Sequence, residues 1–230
     1  MPWMVAFFGI LVIPLGLTHI VLVISQPVLV HAWCAGCILA ALIMLPMIPL
    51  ELGEVGARGE HMIQAERRGD RGGSLWTIFW KGGSAEGCTP DERTPAMAAM
   101  HDRPWQVFLS SIWGMSFPWT LSLAAILGVA MMLSPTLFGI SIESIAGDIG
   151  HLGGALIVTI SVICLGEVIR AGRYLNIPLG LAVAIMPWLV SGSSTPYALT
   201  CSVLGVAVMG LAIPRGPQRE QYGLWNRFVR

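Results

Sequence analysis

Long apolar runs alternate with short polar breaks along this chain. The first run covers residues 4–25 and stops at Gln26-Pro27. The second covers 28–50 and contains Pro46 and Pro49. Apolar runs of ~18 residues or more read as helices that cross a bilayer. Residues 51–102 are polar and charged, and read as a solvated loop with one surface helix over 51–68. Within that loop Leu75, Trp76, Ile78, Phe79 and Trp80 suit the headgroup depth that Trp favours. Apolar sequence resumes at Trp105. Residues 107–114 read as interfacial, because Gly114, Ser116 and Pro118 punctuate this region.

Four further spans are predicted over about residues 117–133, 152–169, 175–190 and 197–213. Pro118 suits a first helical turn, where its missing N–H costs nothing. Ser134-Pro135 is expected to end its helix. The chain thus divides into a two-helix segment (1–55), a charged loop (56–104), a four-helix unit (105–213) and a basic tail (214–230).

Composition agrees with the pattern. The chain is 55% hydrophobic and 11% charged, with mean hydropathy +0.72. A soluble domain carries roughly 25% charged residues. The expected fold is therefore an all-α, polytopic integral membrane protein of about six helices, with the lipid bilayer as solvent. Net charge is zero, from 13 basic and 13 acidic residues, which argues against a nucleic-acid partner. No basic n-region precedes the first run, so it reads as a retained anchor; the alternative is a chain that begins inside a longer protein.

Charge gives an orientation. All 13 Lys and Arg residues lie in the loop after the second run, at Arg170 and Arg173, or in the tail. Lys and Arg favour cytoplasmic loops, so both termini are expected in the cytoplasm. An internal repeat with an offset of 52 also shows: Leu127-Gly128 answers Leu179-Gly180, Pro135 answers Pro187, and Leu137 answers Leu189. Two helical hairpins, both entered from the cytoplasm, read as parallel copies.

Candidate chemistry centres on Trp33-Cys34-Ala35-Gly36-Cys37. Residues three apart share one helix face, near enough for a disulfide. A helix starting at Val28 puts Cys34 nearly two turns in, ~9 Å deep, and Cys37 ~14 Å deep. That is the outer half of a ~30 Å core and the oxidising side in a bacterium. At that depth the helix dipole helps a thiol little, and His31 is the nearest tuning group. The competing reading is two small packed residues. Zinc needs more ligands than His31 adds, so no metal is expected.

Other candidates have plainer readings. Cys88 falls in the charged loop, Cys164 at the inner end of the fourth span, and Cys201 near the outer end of the sixth. His19 is expected to face Cys34 or Cys37 if the first two helices pack together. Otherwise it is a satisfied buried histidine. Glu167 sits near the cytoplasmic end of the fourth span, with Arg170 as its expected partner. His151 follows Asp148 as a cap or headgroup donor. Trp3, Trp105, Trp119, Trp188 and Trp225 read as an interfacial belt. Gly150, Gly153 and Gly154 allow close helix packing. No phosphate loop, nucleophile triad or heme signature is present.

Residues 14–55, with Gln26-Pro27, Trp33-Cys34-Ala35-Gly36-Cys37 and Pro49-Leu50-Glu51-Leu52-Gly53-Glu54-Val55, resemble the last two helices of bacterial vitamin K epoxide reductase family proteins. The resemblance implies a quinone-linked thiol–disulfide oxidoreductase of the bacterial cytoplasmic membrane, with the CxxC toward the periplasm. It implies that Cys37 faces the quinone (menaquinone or ubiquinone), while Cys34 exchanges with thiols. His19, where it faces the pair, is a candidate to tune the thiol or protonate the quinone. Phe117-Pro118-Trp119, Ser134-Pro135 and Met186-Pro187-Trp188-Leu189 resemble the SPW repeat. The reductase family's first two helices and shuttle cysteines have no counterpart, so a periplasmic thiol protein and a second polypeptide are expected partners. The alternative is a non-catalytic membrane scaffold of the SPW type. A transporter built on parallel repeats is disfavoured, because the last four spans hold one acidic residue, Glu167.

Overall fold

A computed structural model describes residues 2–30, 34–69, 74–82, 115–141 and 143–217. The described residues are helical, with no strand beyond an isolated bridge between Met115 and Gly166. The helices are α1 (Pro2–Ser25), α2 (Ala35–Arg67), α3 (Leu75–Lys81), α4 (Trp119–Leu137), α5 (Ile145–Ile163), α6 (Asn176–Leu189) and α7 (Thr195–Ala212). A π-helical turn, Gln26–Val30, extends α1, and a 3-10 turn, Arg170–Leu175, leads into α6. His31, Trp33, Cys88, Trp105, Trp225 and residues 107–114 lie outside the described residues.

Among the described residues, five helical segments are long and apolar enough to cross a membrane: Pro2–Val30, Ala35–Arg67, Trp119–Leu137, Ile145–Ile163 and Thr195–Ala212. The chain is thus an all-α protein with membrane-spanning helices. The fifth expected span, α6, has 14 residues, about 21 Å at 1.5 Å per residue.

Several boundaries differ from the sequence expectation. Gln26-Pro27 does not break the chain; the π turn widens the helix and accommodates the proline. The second helix starts at Ala35, not Val28. It then runs without a break to Arg67, absorbing the surface helix expected over 51–68. Its 33 residues measure about 50 Å, well beyond a ~30 Å core.

The fourth helix likewise runs through Ser134-Pro135. A proline lacks the N–H that would bond the carbonyl four residues back, here Met131. The Ser134 hydroxyl donates to that carbonyl instead, at 2.7 Å. The next helix begins at Ile145, seven residues before the expected start, because Ser144 caps it. The Ser144 Oγ accepts from the Gly147 N–H at 3.1 Å.

α1 and α2 form an antiparallel hairpin in which Gly9 meets Val55 and Glu51, and Gly16 meets Ile48. α4 to α7 form a closed ring: α4 packs on α5 and α7, and α6 on α5 and α7. The repeat is visible in this packing. At an offset of 52, buried Ala124, Gly128, Met131 and Pro135 of α4 answer buried Asn176, Gly180, Val183 and Pro187 of α6. At an offset of 51, the six buried residues of α7, from Tyr197 to Ala212, answer buried residues of α5. Each hairpin crosses glycine on glycine. A Cβ on Gly154 would lie 2.5 Å from the Gly128 carbonyl oxygen, and one on Gly205 2.5 Å from that of Gly180. Small residues at such crossings let helix backbones touch in a membrane.

Arginines close the other end of the ring. The fully buried Arg170 guanidinium donates to the carbonyls of Ser116, Cys164, Leu165 and Pro217. Arg173 Nε donates to the Ala212 carbonyl at 3.0 Å. Thus Arg170 satisfies carbonyls after α5, and Arg173 one at the end of α7, groups that a helix cannot bond internally. Glu167, expected at the interface, is fully buried beside this cluster in sequence.

Candidate functional site: the Cys34–Cys37 helix cap

Cys34 is the N-cap of α2, with extended backbone (φ −104, ψ 109). This corrects the expectation of a thiol two turns inside a helix. Cys37 falls in the first turn. There the first N–H groups have no intrahelical partner, and the dipole is positive. The Cys34 Sγ accepts from the Cys37 N–H at 3.4 Å, doing the work of a serine or aspartate cap.

These contacts favour the Cys34 thiolate. Cys34 lies just ahead of the α2 span, and its pKa is below the ordinary thiol value. The Cys37 side chain is the largest cause, the Cys37 backbone N–H the next. Cys34 is exposed and Cys37 half-buried behind it. Both are free thiols. An exposed, acidified thiol three residues from a second thiol is the arrangement that thiol–disulfide exchange requires.

Gln26 completes the site, although its sequence context marks it only as a helix breaker. Its side-chain oxygen accepts from the Cys34 N–H at 3.0 Å. The π turn makes this reach possible, because it carries the chain on from α1 while Gln26 still faces the start of α2.

His19 sits elsewhere. Its Nδ1 is 2.9 Å from the Leu15 carbonyl oxygen of its own helix. The hairpin register, with Gly16 against Ile48 and Met44, sets His19 level with about residue 43. Cys37 is roughly six residues, or ~9 Å, further along the axis. Cys164 and Cys201 are buried and far along the sequence from the pair, each packed in a hydrophobic cluster. Among the described residues no three His, Cys, Asp or Glu side chains gather as a metal site.

Among the described residues, two cavities lie between the hairpin and the ring. One is an apolar groove of about 240 Å³ between α1, α2, α4 and α5, which begins at Ile24 and Ile38, beside the cysteine pair. The other is a small cleft where Pro27 and Val28 of the π turn meet Asp148 and His151 of α5. His151 is a buried residue of the second turn of α5 rather than an exposed cap. No protein-family profile, curated protein or solved structure matches this chain.

Proposed function

We propose that this chain is a membrane thiol–disulfide oxidoreductase that links the Cys34–Cys37 pair to a quinone, as its resemblance to vitamin K epoxide reductases implies. The observation that carries this reading is the helix cap: an exposed Cys34 whose sulfur accepts from Cys37 N–H at 3.4 Å. In the oxidised state an incoming thiolate attacks the Cys34 sulfur, and Cys37 leaves as the thiolate. A second substrate thiolate then releases reduced Cys34. The reduced pair passes two electrons and two protons to a quinone, giving quinol and restoring the disulfide.

The proposed topology has six crossings, with α6 as a short one and both termini cytoplasmic. This sets Cys34 toward the periplasm of a bacterial cytoplasmic membrane, where a thiol protein is its partner. All 13 basic residues support that orientation, because they fall on one side in a six-crossing chain. The proposed quinone is menaquinone or ubiquinone.

A second reading is a non-catalytic scaffold built on the SPW-like ring. The duplicated glycine crossings favour it, because they make α4 to α7 a self-sufficient unit. A Cys34→Ser/Cys37→Ser chain separates the two readings in a complementation assay. The oxidoreductase loses function in that chain, whereas a scaffold retains it in full.

A further inference from the structure

Three large apolar side chains of α3 face outward: Leu75, Trp76 and Trp80, with Trp76 70% exposed. We propose that α3 and the end of α2 form a site for anionic phospholipid, with the tryptophans among the headgroups and Arg67 and Lys81 on their negative charge. This goes beyond the thiol reading and does not depend on it. The premise is that α1 and α2 span the bilayer.

The depth follows from the hairpin register. Gly9 meets Glu51 and Val55, and Gly16 meets Ile48 and Met44. Pro2 is therefore level with about residue 60 of α2, which is ~38 Å from Ala35 along the axis. That lies past a ~30 Å hydrocarbon core and within the ~40–45 Å that includes the headgroups. α3 sits at this level, because Trp80 packs against Trp3 with ring centroids 5.8 Å apart and Gly82 lies beside Pro2.

Packing holds this face outward. Ile78 is fully buried, and α3 rests on both α1 and α2. Trp76 stacks with Phe79 at 6.2 Å, and Trp80 meets both rings edge-on at 5.7 and 5.3 Å. Rings already fixed by one another lose little freedom on entering the headgroup layer, the depth that Trp favours.

Charge selects the lipid. Among the described residues from Val55 to Gly82, the exposed charged side chains are Arg58, Arg67, Arg68 and Lys81, all basic. Of the acidic side chains there, Glu60 is buried and accepts from Gln64 at 2.8 Å, and Glu66 is half-buried. A basic residue at an anionic membrane surface strengthens attraction about fivefold. A zwitterionic lipid offers it no net charge. In the proposed topology this surface meets the cytoplasmic leaflet.

The test uses the full chain in phosphatidylcholine vesicles doped with dansyl-labelled phosphatidylglycerol or dansyl-labelled phosphatidylcholine. Energy transfer from the tryptophans reads which lipid gathers at the protein. Transfer is expected to favour the glycerol lipid, and to be competed by unlabelled phosphatidylglycerol but not by dissolved glycerol phosphate. Arg67→Gln/Lys81→Gln keeps every tryptophan and is expected to cut the preference about fivefold or more. Its transfer to the choline lipid should not change, which checks that the chain is folded. Arg215→Gln is expected to keep the preference. Depth is read from Trp76 emission, taken as the difference between the unmodified chain and Trp76→Phe. Lipid brominated near the headgroup end of its chains should quench that emission, and acrylamide on both sides should not.

No preference in the unmodified chain, one that survives Arg67→Gln/Lys81→Gln, or one lost equally in Arg215→Gln would overturn the site. Competition by glycerol phosphate would make it a site for soluble phosphate and overturn the lipid assignment. Trp76 emission quenched by acrylamide and not by brominated lipid would turn this face toward a protein partner, and overturn it as well.

Discussion

The side-chain oxygen of Gln26 accepts the Cys34 backbone N–H at 3.0 Å, tying the end of the first helix to the cap of the second. That bond fixes the extended conformation from which the Cys34 sulfur reaches Cys37. Gln26→Leu removes the acceptor. A net hydrogen bond contributes about 1 kcal/mol, so thiol–disulfide exchange is expected to slow about fivefold. Stopped-flow exchange with a small disulfide measures this. Unchanged rates would show that the cap holds without Gln26.

The pH dependence arises from the same contacts. The Cys34 pKa is depressed, first by the Cys37 side chain and then by its backbone N–H. Its thiolate therefore persists below the pH at which an ordinary thiol is protonated, and is lost as pH falls through the shifted value. Alkylation of Cys34 is expected to show a midpoint below that of a free thiol. Cys37→Ala removes the side-chain contact and leaves the N–H, so the midpoint should rise part of the way back. A profile of iodoacetamide rate against pH in both chains checks the direction. A midpoint that stays put or falls in Cys37→Ala contradicts the assignment.

The glycine crossings give a paired prediction. A Cβ on Gly154 would press on the Gly128 carbonyl oxygen and the Met132 nitrogen, and one on Gly205 on the Gly180 carbonyl oxygen. Backbone atoms cannot step aside, so the helices must separate. Gly154→Ala and Gly205→Ala are each expected to destabilise the fold by about 1–3 kcal/mol, with similar magnitudes because the two sites are repeat equivalents. Gly210→Ala meets nothing within 4 Å, and a mid-helix alanine is worth roughly 0.5–1 kcal/mol over glycine. Thermal unfolding in one detergent ranks the three. A Gly210→Ala loss as large as the others would remove the packing explanation.

Ser134 and Pro135 should couple. Ser134→Ala strips the Met131 carbonyl of its donor, at an expected cost of about 1–3 kcal/mol for an unsatisfied buried group. Adding Pro135→Ala returns a backbone N–H to that carbonyl. In a double-mutant cycle the second substitution is expected to cost less in the Ser134→Ala chain than alone. Additive losses would mean that the hydroxyl does not stand in for the missing N–H.

Much of the fold was legible in the sequence because hydrophobicity dominates it. The runs around α1, α4, α5 and α7 are apolar enough to announce themselves, and the repeated Gly128 and Gly180 marked the duplication. Boundaries were less legible, for local reasons. Pro27 and Pro135 look like stops, yet a π turn absorbs one and a serine hydroxyl compensates for the other. Ser144 is an ordinary cap whose signal was hidden by the glycines after it.

The cysteine pair was visible as a motif, but its state was not. Its acidity depends on the helix beginning at Ala35, and the apolar run gives no sign of that start. Gln26 is eight positions from Cys34, too far for any local pattern to connect them. The buried Arg170 is similar: its carbonyl partners, Ser116 and Pro217, are joined to it only by the fold.

The central claim is that Cys34 and Cys37 cycle between dithiol and disulfide with the quinone pool. Mass-tag trapping of thiols in intact membranes tests it most directly, comparing quinone-depleted with quinone-replete cells. The pair is expected to be reduced when quinone is depleted and substantially disulfide-bonded when it is restored. A pair that stays fully reduced under both conditions would contradict the claim.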